Sequence, residues 1–462
     1  MINTRHSQYA KWFSIWEKTR DGVGGQEAVK AKRTKYLPKL GGQDEESYTA
    51  YLNRAQYVNF SSRTLTAAIG QLFRKDPVVN IDEEYLDNID LSGTSFYHFS
   101  RELAREIMIV NRAGVLVDYS EDHGRPYLID YKAENIINWR TEIINGSEIL
   151  TLVVLEGLKQ VIDSTDKFTV NDKTVWRELA LEDGIYVVRE WEKREDSFVM
   201  TDERVPLKSG KPLFKIPFYF LTVEGISQKL IKATLTDFVN VNLGHYVNSA
   251  DYENMLHWAG QKTIVTTGWG DKPFPVGGNA NLADGGTAVY LESASDSCIE
   301  KGMQKKEEQM AALGSQIISG KGRYVASAET SKISSQGEYA TLADIANSLS
   351  YCMDAVLSFF MEWQTGKEAD IEVEFNTDFS VDDIPQGKLI ELMGAVQSGF
   401  MSYETFYYQL KTYEVYPSNW TIDDEKKGIE EATNKQAAQR EADAVNAISQ
   451  LMAREQNTEG AE

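Results

Sequence analysis

"IKATLTDFVNVNLGHYVNSADYENMLHW", residues 231–258, is the stretch on which the reading of this chain turns. It contains no proline, so nothing in it interrupts a helix. At 1.5 Å per residue such a helix spans about 40 Å. A helix resting on one core shows a single apolar stripe. This one mixes small, polar and apolar residues on most faces, which predicts several packing neighbours. Its two histidines, His245 and His257, are about 18 Å apart along the axis, too far to share a metal. They read as packing or surface residues.

The sequence on either side defines the context. "KTIVTTGWGDKPFPVGGNANLADGGTAVYLES", residues 262–293, is dense in Gly and Pro with brief β-rich runs, which predicts a small loop-rich β module. Met303, Met310, Leu313 and Ile317 then recur at helical spacing, which predicts a returning helix over 303–318. Long helix, small β insert, helix is the pattern of a stalk with a tip.

The returning helix runs into "ALGSQIISGKGRY", residues 312–324. This nearly reads as a phosphate-binding P-loop. A P-loop has four residues between its glycines, a Ser or Thr after the lysine, and a strand before it. Here five residues separate Gly314 from Gly320, Gly322 follows Lys321, and a helix leads in. The loop therefore needs another explanation.

Upstream, residues 1–75 read mostly as helix, with Tyr51, Ala55, Val58, Leu65, Ile69 and Phe73 at helical spacing and a stop at Pro77. A second amphipathic helix covers 96–112 (Phe99, Leu103, Ile107), followed by the buried strand "AGVLVDYS". Over 148–222, short β-rich runs ending in "IPFYFLTVEG" predict an antiparallel meander. Downstream, Leu342, Ile345, Leu349, Met353, Val356, Phe360 and Trp363 form the strongest helical stripe of the chain, closed by Gly366. "DIEVEFNTDF" reads as a strand, and 386–455 as charged helix with a turn at "VYPSNW".

Composition narrows the function classes. The 462 residues suffice for two or three domains at about 150 each. No apolar run is long enough to cross a membrane, and the start "MINTRHSQYAKWF" has no apolar signal core, which argues against export. Cys298 and Cys352 are the only cysteines, which suits a reducing cytoplasm and argues against a disulfide scaffold or zinc finger. The net charge of −22 disfavours a nucleic-acid grip over the whole surface. Charge is uneven, however. From Lys301 to Arg323 five basic residues face two acids, net +3, whereas from Lys367 to Glu462 eight face twenty, net −12. A charge run is by default a solvated face. The cluster Lys301, Lys305, Lys306, Lys321 and Arg323 is nevertheless the positive exception in an acidic chain, which makes it a candidate for phosphate-backbone contact.

Asp118 ends a hydrophobic strand, as a phosphoryl-transfer aspartate would, but Ser120 stands where a second Asp is needed. Capping of a turn is the expected role. Neither HExxH nor GxSxG occurs.

"YLPKL", "YLNRAQYVNFSSRTLTAAIGQLFRKDP", "NRAGVLVDYS", "RPYLIDYKAENIINWR", "HYVNSADYENMLHWAG" and "EEQMAALGSQII…AET", taken in order, resemble a family of tailed-bacteriophage portal proteins over about residues 30–450. No single motif is diagnostic; the ordered set carries the resemblance. It implies an α+β portal-type protomer assembling into a homo-oligomeric ring of about twelve copies at one capsid vertex of the virion, built in the host cytoplasm. It implies a wing at 1–229, a first stem helix at 230–258, a clip at 259–300 and a second stem helix at 301–319. A tunnel loop, long wing helix and strand would occupy 320–384, and a helical crown with an acidic tail 385–462. Double-stranded DNA would pass through the middle, packaged and later ejected, and terminase, capsid and head–tail adaptor proteins would be partners. No membrane, cofactor, metal or catalytic residue is implied. Under this reading Gly320 and Gly322 are hinges of the tunnel loop, and Lys301, Lys305, Lys306, Lys321 and Arg323 touch phosphate without reading bases. Two other readings compete. One is a nucleotide-dependent phosphotransferase using the 314–323 glycine-rich loop and Asp118; the other is a monomeric head–tail adaptor.

Overall fold

The computed structural model describes residues 1–162, 166, 168–260, 263–268, 285–291, 297–318, 340–377, 379, 386–412, 415–416, 420–431, 433–435 and 439. Contacts divide the chain into two units, Met1–Phe379 and Ser380–Glu462. Helix and sheet are mixed, as the sequence predicts.

The first unit begins with helices α1 (Tyr9–Gly24), α2 (Gln26–Ala31), α3 (Glu45–Arg54) and α4 (Phe60–Leu72). Their starts are chemically marked. Asp44 accepts from the Ser47 amide at 2.8 Å and Asn59 from the Ser62 amide at 2.9 Å, satisfying amides that a first helical turn leaves without partners. A short strand β1 (Val78–Val79), helix α5 (Glu83–Asp87) and helix α6 (Phe96–Val110) follow. Helix α6 ends at Asn111, whose left-handed φ of 53° suits a C-cap asparagine.

Strand β2 (Ala113–Ser120) is buried from Ala113 through Asp118, which explains its uninterrupted apolar run. It lies between β3 (Arg125–Lys132) and β11 (Phe218–Thr222), with β12 (Gly225–Ile226) at the edge. Gly114 makes room for this packing: a Cβ there would lie 2.3 Å from Phe218 Cζ and 2.9 Å from Ile136 Cδ1.

A second sheet runs β4 (Ile136–Ile144), β5 (Ser147–Ile162), β6 (Val170–Glu182), β7 (Ile185–Arg194) and β8 (Ser197–Arg204), each antiparallel to the next. The predicted meander is therefore present with other limits, starting at Ile136 and ending at Arg204. "IPFYFLTVEG" leaves it, because Phe218–Leu221 pairs with Ala113–Leu116 of the first sheet. Local alternation shows that a segment is a strand but not which sheet it joins.

Asp118 couples the two sheets. It is buried, and its Oδ2 lies 2.6 Å from Arg204 Nη2 on β8 and 3.7 Å from Arg177 Nη1 on β6. Capping of a turn is thus corrected to an intersheet ion pair. Short strands β9 (Leu207–Lys208) and β10 (Lys211–Pro212) pair with each other beyond β8. On the helical side, Arg20 of α1 grips Glu106 of α6 and Glu134 of the turn before β4.

The remaining elements of this unit are α7 (Leu235–Gly260), β13 (Thr263–Thr267), β14 (Thr287–Leu291), α8 (Ser297–Ile318), α9 (Ala340–Thr365) and β15 (Val373–Glu374), which pairs with β1. All seven stripe residues of α9 are buried, and Gly366 takes a φ of +72° just past its end. In the second unit, α10 (Gln386–Gln397) and α11 (Tyr403–Thr412) pack together, and residues 422–431 are helical.

Two substitutions test this packing by chemical denaturation. Gly114→Ala sets a methyl inside contact distance of the Phe218 ring, with an expected loss of about 2 kcal/mol. Asp118→Asn preserves shape but leaves Arg177 and Arg204 without their shared counter-charge, with an expected loss also of about 2 kcal/mol.

Candidate nucleic-acid interface

The candidate element is the pair α7 and α8 with the β hairpin between them. The chain is held firmly where it enters α7. Asn111 Oδ1 accepts from the Val223 amide at 2.8 Å and its Nδ2 donates to the Lys232 carbonyl at 3.4 Å. Next to it, Arg112 is buried with its guanidinium 4.2 Å from the Trp139 ring and 4.3 Å from the Phe220 ring. Its Nη1 donates to the Gln228 carbonyl at 3.0 Å. With no carboxylate in that group of contacts, burial pushes the Arg112 pKa down to about 9. The α6–β2 junction thus clamps residues 223–232, and α7 begins at Leu235, four residues after the predicted start.

Helix α7 packs against α1, α3, α4, α6 and α8, as its lack of a single apolar face predicts. Its buried Asn242, His245 and Ser249 find partners on these neighbours and their connections. Asn242 Nδ2 donates to Tyr57 Oη at 2.8 Å and to Ser61 Oγ at 3.0 Å. Tyr57 in turn donates to the Gly22 carbonyl at 2.7 Å, and burial pushes its phenol up to about 12, so it keeps its proton near neutrality. Ser249 Oγ donates to the Gln56 carbonyl at 2.7 Å and accepts from the Gln56 amide at 3.1 Å. Tyr51 of α3 donates to Asp251 at 2.5 Å.

Helix α8 returns antiparallel to α7. His245 Nε2 meets Glu307 Oε1 at 3.1 Å, Gly302 faces Asn248, and Gly314 faces Phe238, so partners rise on one helix as they fall on the other. Glycines allow the close approach. A Cβ on Gly244 would lie 3.2 Å from Lys306 Cε, and one on Gly302 would lie 3.2 Å from Asn248 Nδ2. Gly314 is buried in mid-helix beside Phe238 and Thr64. It therefore serves helix packing, which removes it from any phosphate-cradling loop. His245 is a packing histidine, edge-on to Phe60 at 6.0 Å between ring centroids.

Of the five basic candidates, three fall on α8. Lys301 and Lys305 are exposed one helical turn apart, and Lys305 Nζ pairs with Glu308 at 3.1 Å. Lys306 turns toward α7 and lays its stem over Gly244. Over Ser297–Ile318 three lysines meet three glutamates (Glu300, Glu307, Glu308), so the helix is neutral. The positive excess read from sequence rests on Lys321 and Arg323, which lie outside the described residues, as do Gly320 and Gly322. Gly244 and Gly302 were not singled out in the sequence; glycines inside two helical segments were the available signal.

The tip is the antiparallel pair β13–β14, in register from Thr263↔Leu291 to Thr267↔Thr287. Among the described residues these strands pair only with each other, and Val265 and Val289, directly opposite, are exposed. Among the described residues, no helix is long and apolar enough to cross a membrane, and no group of three His, Cys, Asp or Glu is placed to hold a metal.

A family model described as a domain of unknown function (DUF4055) matches residues 234–364, which span α7, the tip, α8 and α9. No curated protein matches the chain. Among solved structures, the chain is similar at 10% identity and a TM-score of 0.40 to a chain of the virion of a native gene transfer agent particle, over 82% of this chain and 96% of that one. It is similar at 11% identity and a TM-score of 0.41 to a chain in the neck of the empty particle, over 86% and 100%. It is also similar at 10% identity and a TM-score of 0.30 to an HK97-family phage portal protein from Corynebacterium diphtheriae, over 73% and 97%.

Proposed function

We propose that this chain is the protomer of a portal, the ring-shaped head-to-tail connector at one vertex of a phage-type capsid. Copies arranged about an axis line a hole with their α7–α8 pairs, and double-stranded DNA threads that hole during packaging and ejection. The tip is the docking site for the terminase motor and the head–tail adaptor. The wing, stem, clip and crown limits are those set out above for 1–229, 230–258, 259–300, 301–319, 320–384 and 385–462. Sliding contacts with phosphate come from Lys301, Lys305 and Lys306 together with Lys321 and Arg323, with Gly320 and Gly322 as loop hinges. The protein catalyses no reaction in this role.

The observation that carries the reading is the antiparallel helix pair closed by a two-stranded tip, in the chain position that the ordered portal-like segments assign to stem and clip. The tip supports it independently. An isolated two-stranded ribbon is at best marginally stable in water. Exposed Val265 and Val289 on such a ribbon suit burial against other subunits. The neutral α8 suits a wall past which a polyanion slides, since every phosphate neutralised deepens binding through counterion release.

End-on negative-stain images of the purified chain test the ring; closed rings are expected, and a chain that stays a single subunit at every concentration overturns the reading. Replacing both Lys321 and Arg323 by Ala is expected to leave assembly intact and to lower the DNA packaged or retained per particle severalfold. Wild-type packaging by that variant would remove both side chains from the DNA path.

A further inference from the structure

Strands β5 and β6 outrun their sheet. β4 reaches along β5 only to Leu155, and β7 reaches along β6 only to Val175. Beyond those points, the pairs Leu158↔Thr174 to Ile162↔Val170 form a two-stranded ribbon about 15 Å long. Its two faces differ. Leu158, Ile162 and Val170 share one face, exposed by 70%, 65% and 50%, and Asp172 stands among them. Lys159 and Lys173 are opposite each other on the other face. A ribbon with three bare apolar side chains on one face is a docking surface.

The other end of the same sheet carries a complementary feature. A cavity of about 450 Å³ is lined by Leu213, Phe214 and Phe359 and rimmed by Lys208, Lys211 and Lys215. Lys208 pairs with Glu362, and Lys215 Nζ lies 4.3 Å over the Phe359 ring. Three lysines against Glu362 leave the rim at +2. Leu213 and Phe359 are themselves buried, so Phe214, 69% exposed inside a basic rim, is the apolar surface that fits an apolar face carrying an aspartate.

A chain cannot close this contact on itself. The cavity wall is tied to the sheet where the Tyr186 amide donates to the Leu213 carbonyl at 2.8 Å. Tyr186 pairs with Leu181, which lies eleven residues along β6 from Val170, about 36 Å at about 3.3 Å per residue. We infer that the apolar face of the β5–β6 ribbon of one copy seats in the lysine-rimmed cavity of the next copy. Two different patches at opposite ends of one sheet make a head-to-tail contact, the type that repeats into a ring, whereas a self-complementary patch stops at a dimer. This inference rests on the ring reading above and adds the joint that holds neighbours together.

The test uses the full-length chain with Cys298→Ser; Cys352 is buried. Ile162→Cys and Phe214→Cys are made singly, mixed and oxidised mildly. Disulfide-linked dimers are expected in the mixture and in neither variant alone. Separately, Leu158→Asp with Ile162→Asp is expected to raise the concentration for half-assembly at least tenfold in mass photometry. The thermal unfolding of the unassembled chain should stay unchanged, because both side chains are exposed. If the wild-type chain forms rings while the mixture gives no cross-link and the double variant assembles normally, this joint is overturned and the portal reading stands. Ile162→Cys linking to itself also overturns it. If the wild-type chain never assembles, both fall.

Discussion

Helix α7 is buried around most of its circumference. Asn242, His245 and Ser249 are buried along it together with Phe238, Val239, Tyr246 and Ala250. An apolar face can slide against another apolar face at little loss, but a buried amide or hydroxyl must meet a specific partner or forfeit about 1–3 kcal/mol. Tyr57, Ser61 and the Gln56 backbone are those partners, and they sit on the connection between α3 and α4 and at the start of α4. The polar contacts therefore set the rotation and height of α7 within its bundle, and the apolar contacts supply the bulk of its burial. Once α7 is fixed, the glycine seam fixes α8 beside it.

The same positional economy links α7 to the sheets. Asn111 and Arg112 are consecutive residues at the junction of α6 and β2, yet both bind the segment that leads into α7. Strand β2 is central in its sheet, and Asp118 at its far end binds the arginines of the second sheet. One strand thus connects the entry to the long helix with the five-stranded sheet. Asn111 and β2 form one of the links between the α7–α8 pair and the meander. In the ring proposed above, this chain of contacts would tie the α7–α8 pair to the proposed joint between neighbours.

Much of this fold is legible in the sequence because its periodicities are strong. The α9 stripe from Leu342 to Trp363 is buried at every expected position, and Ala113–Val117 of β2 form a buried apolar run. Helix α7 was legible for the opposite reason, since a sequence without a dry face predicts many neighbours. What the sequence hid is pairing at a distance. Nothing in "IPFYFLTVEG" tells that Phe218 belongs beside Leu116 rather than at the edge of the meander, because both sheets accept the same alternation. Asp118 looked like a turn residue because its arginine partners are 59 and 86 residues away. The basic cluster was legible as composition only; the Lys305–Glu308 pair and the stem of Lys306 on Gly244 depend on which face of α8 meets α7.

The charge balance of α8 bears on how such a wall would act on DNA. In a ring every net charge facing the axis is multiplied by the number of copies. Each neutralised phosphate releases about 0.9 counterion, so one extra cation per copy adds steeply to affinity. A strongly basic lining would hold the duplex in place, and a strongly acidic one would exclude it. Three lysines countered by three glutamates on α8 avoid both extremes. Under the proposed role, Lys321 and Arg323, which follow this neutral helix in the sequence, would supply the attraction that the helix itself lacks. A grip at one level can be made and released as the duplex advances, whereas a grip along the whole wall would have to break everywhere at once.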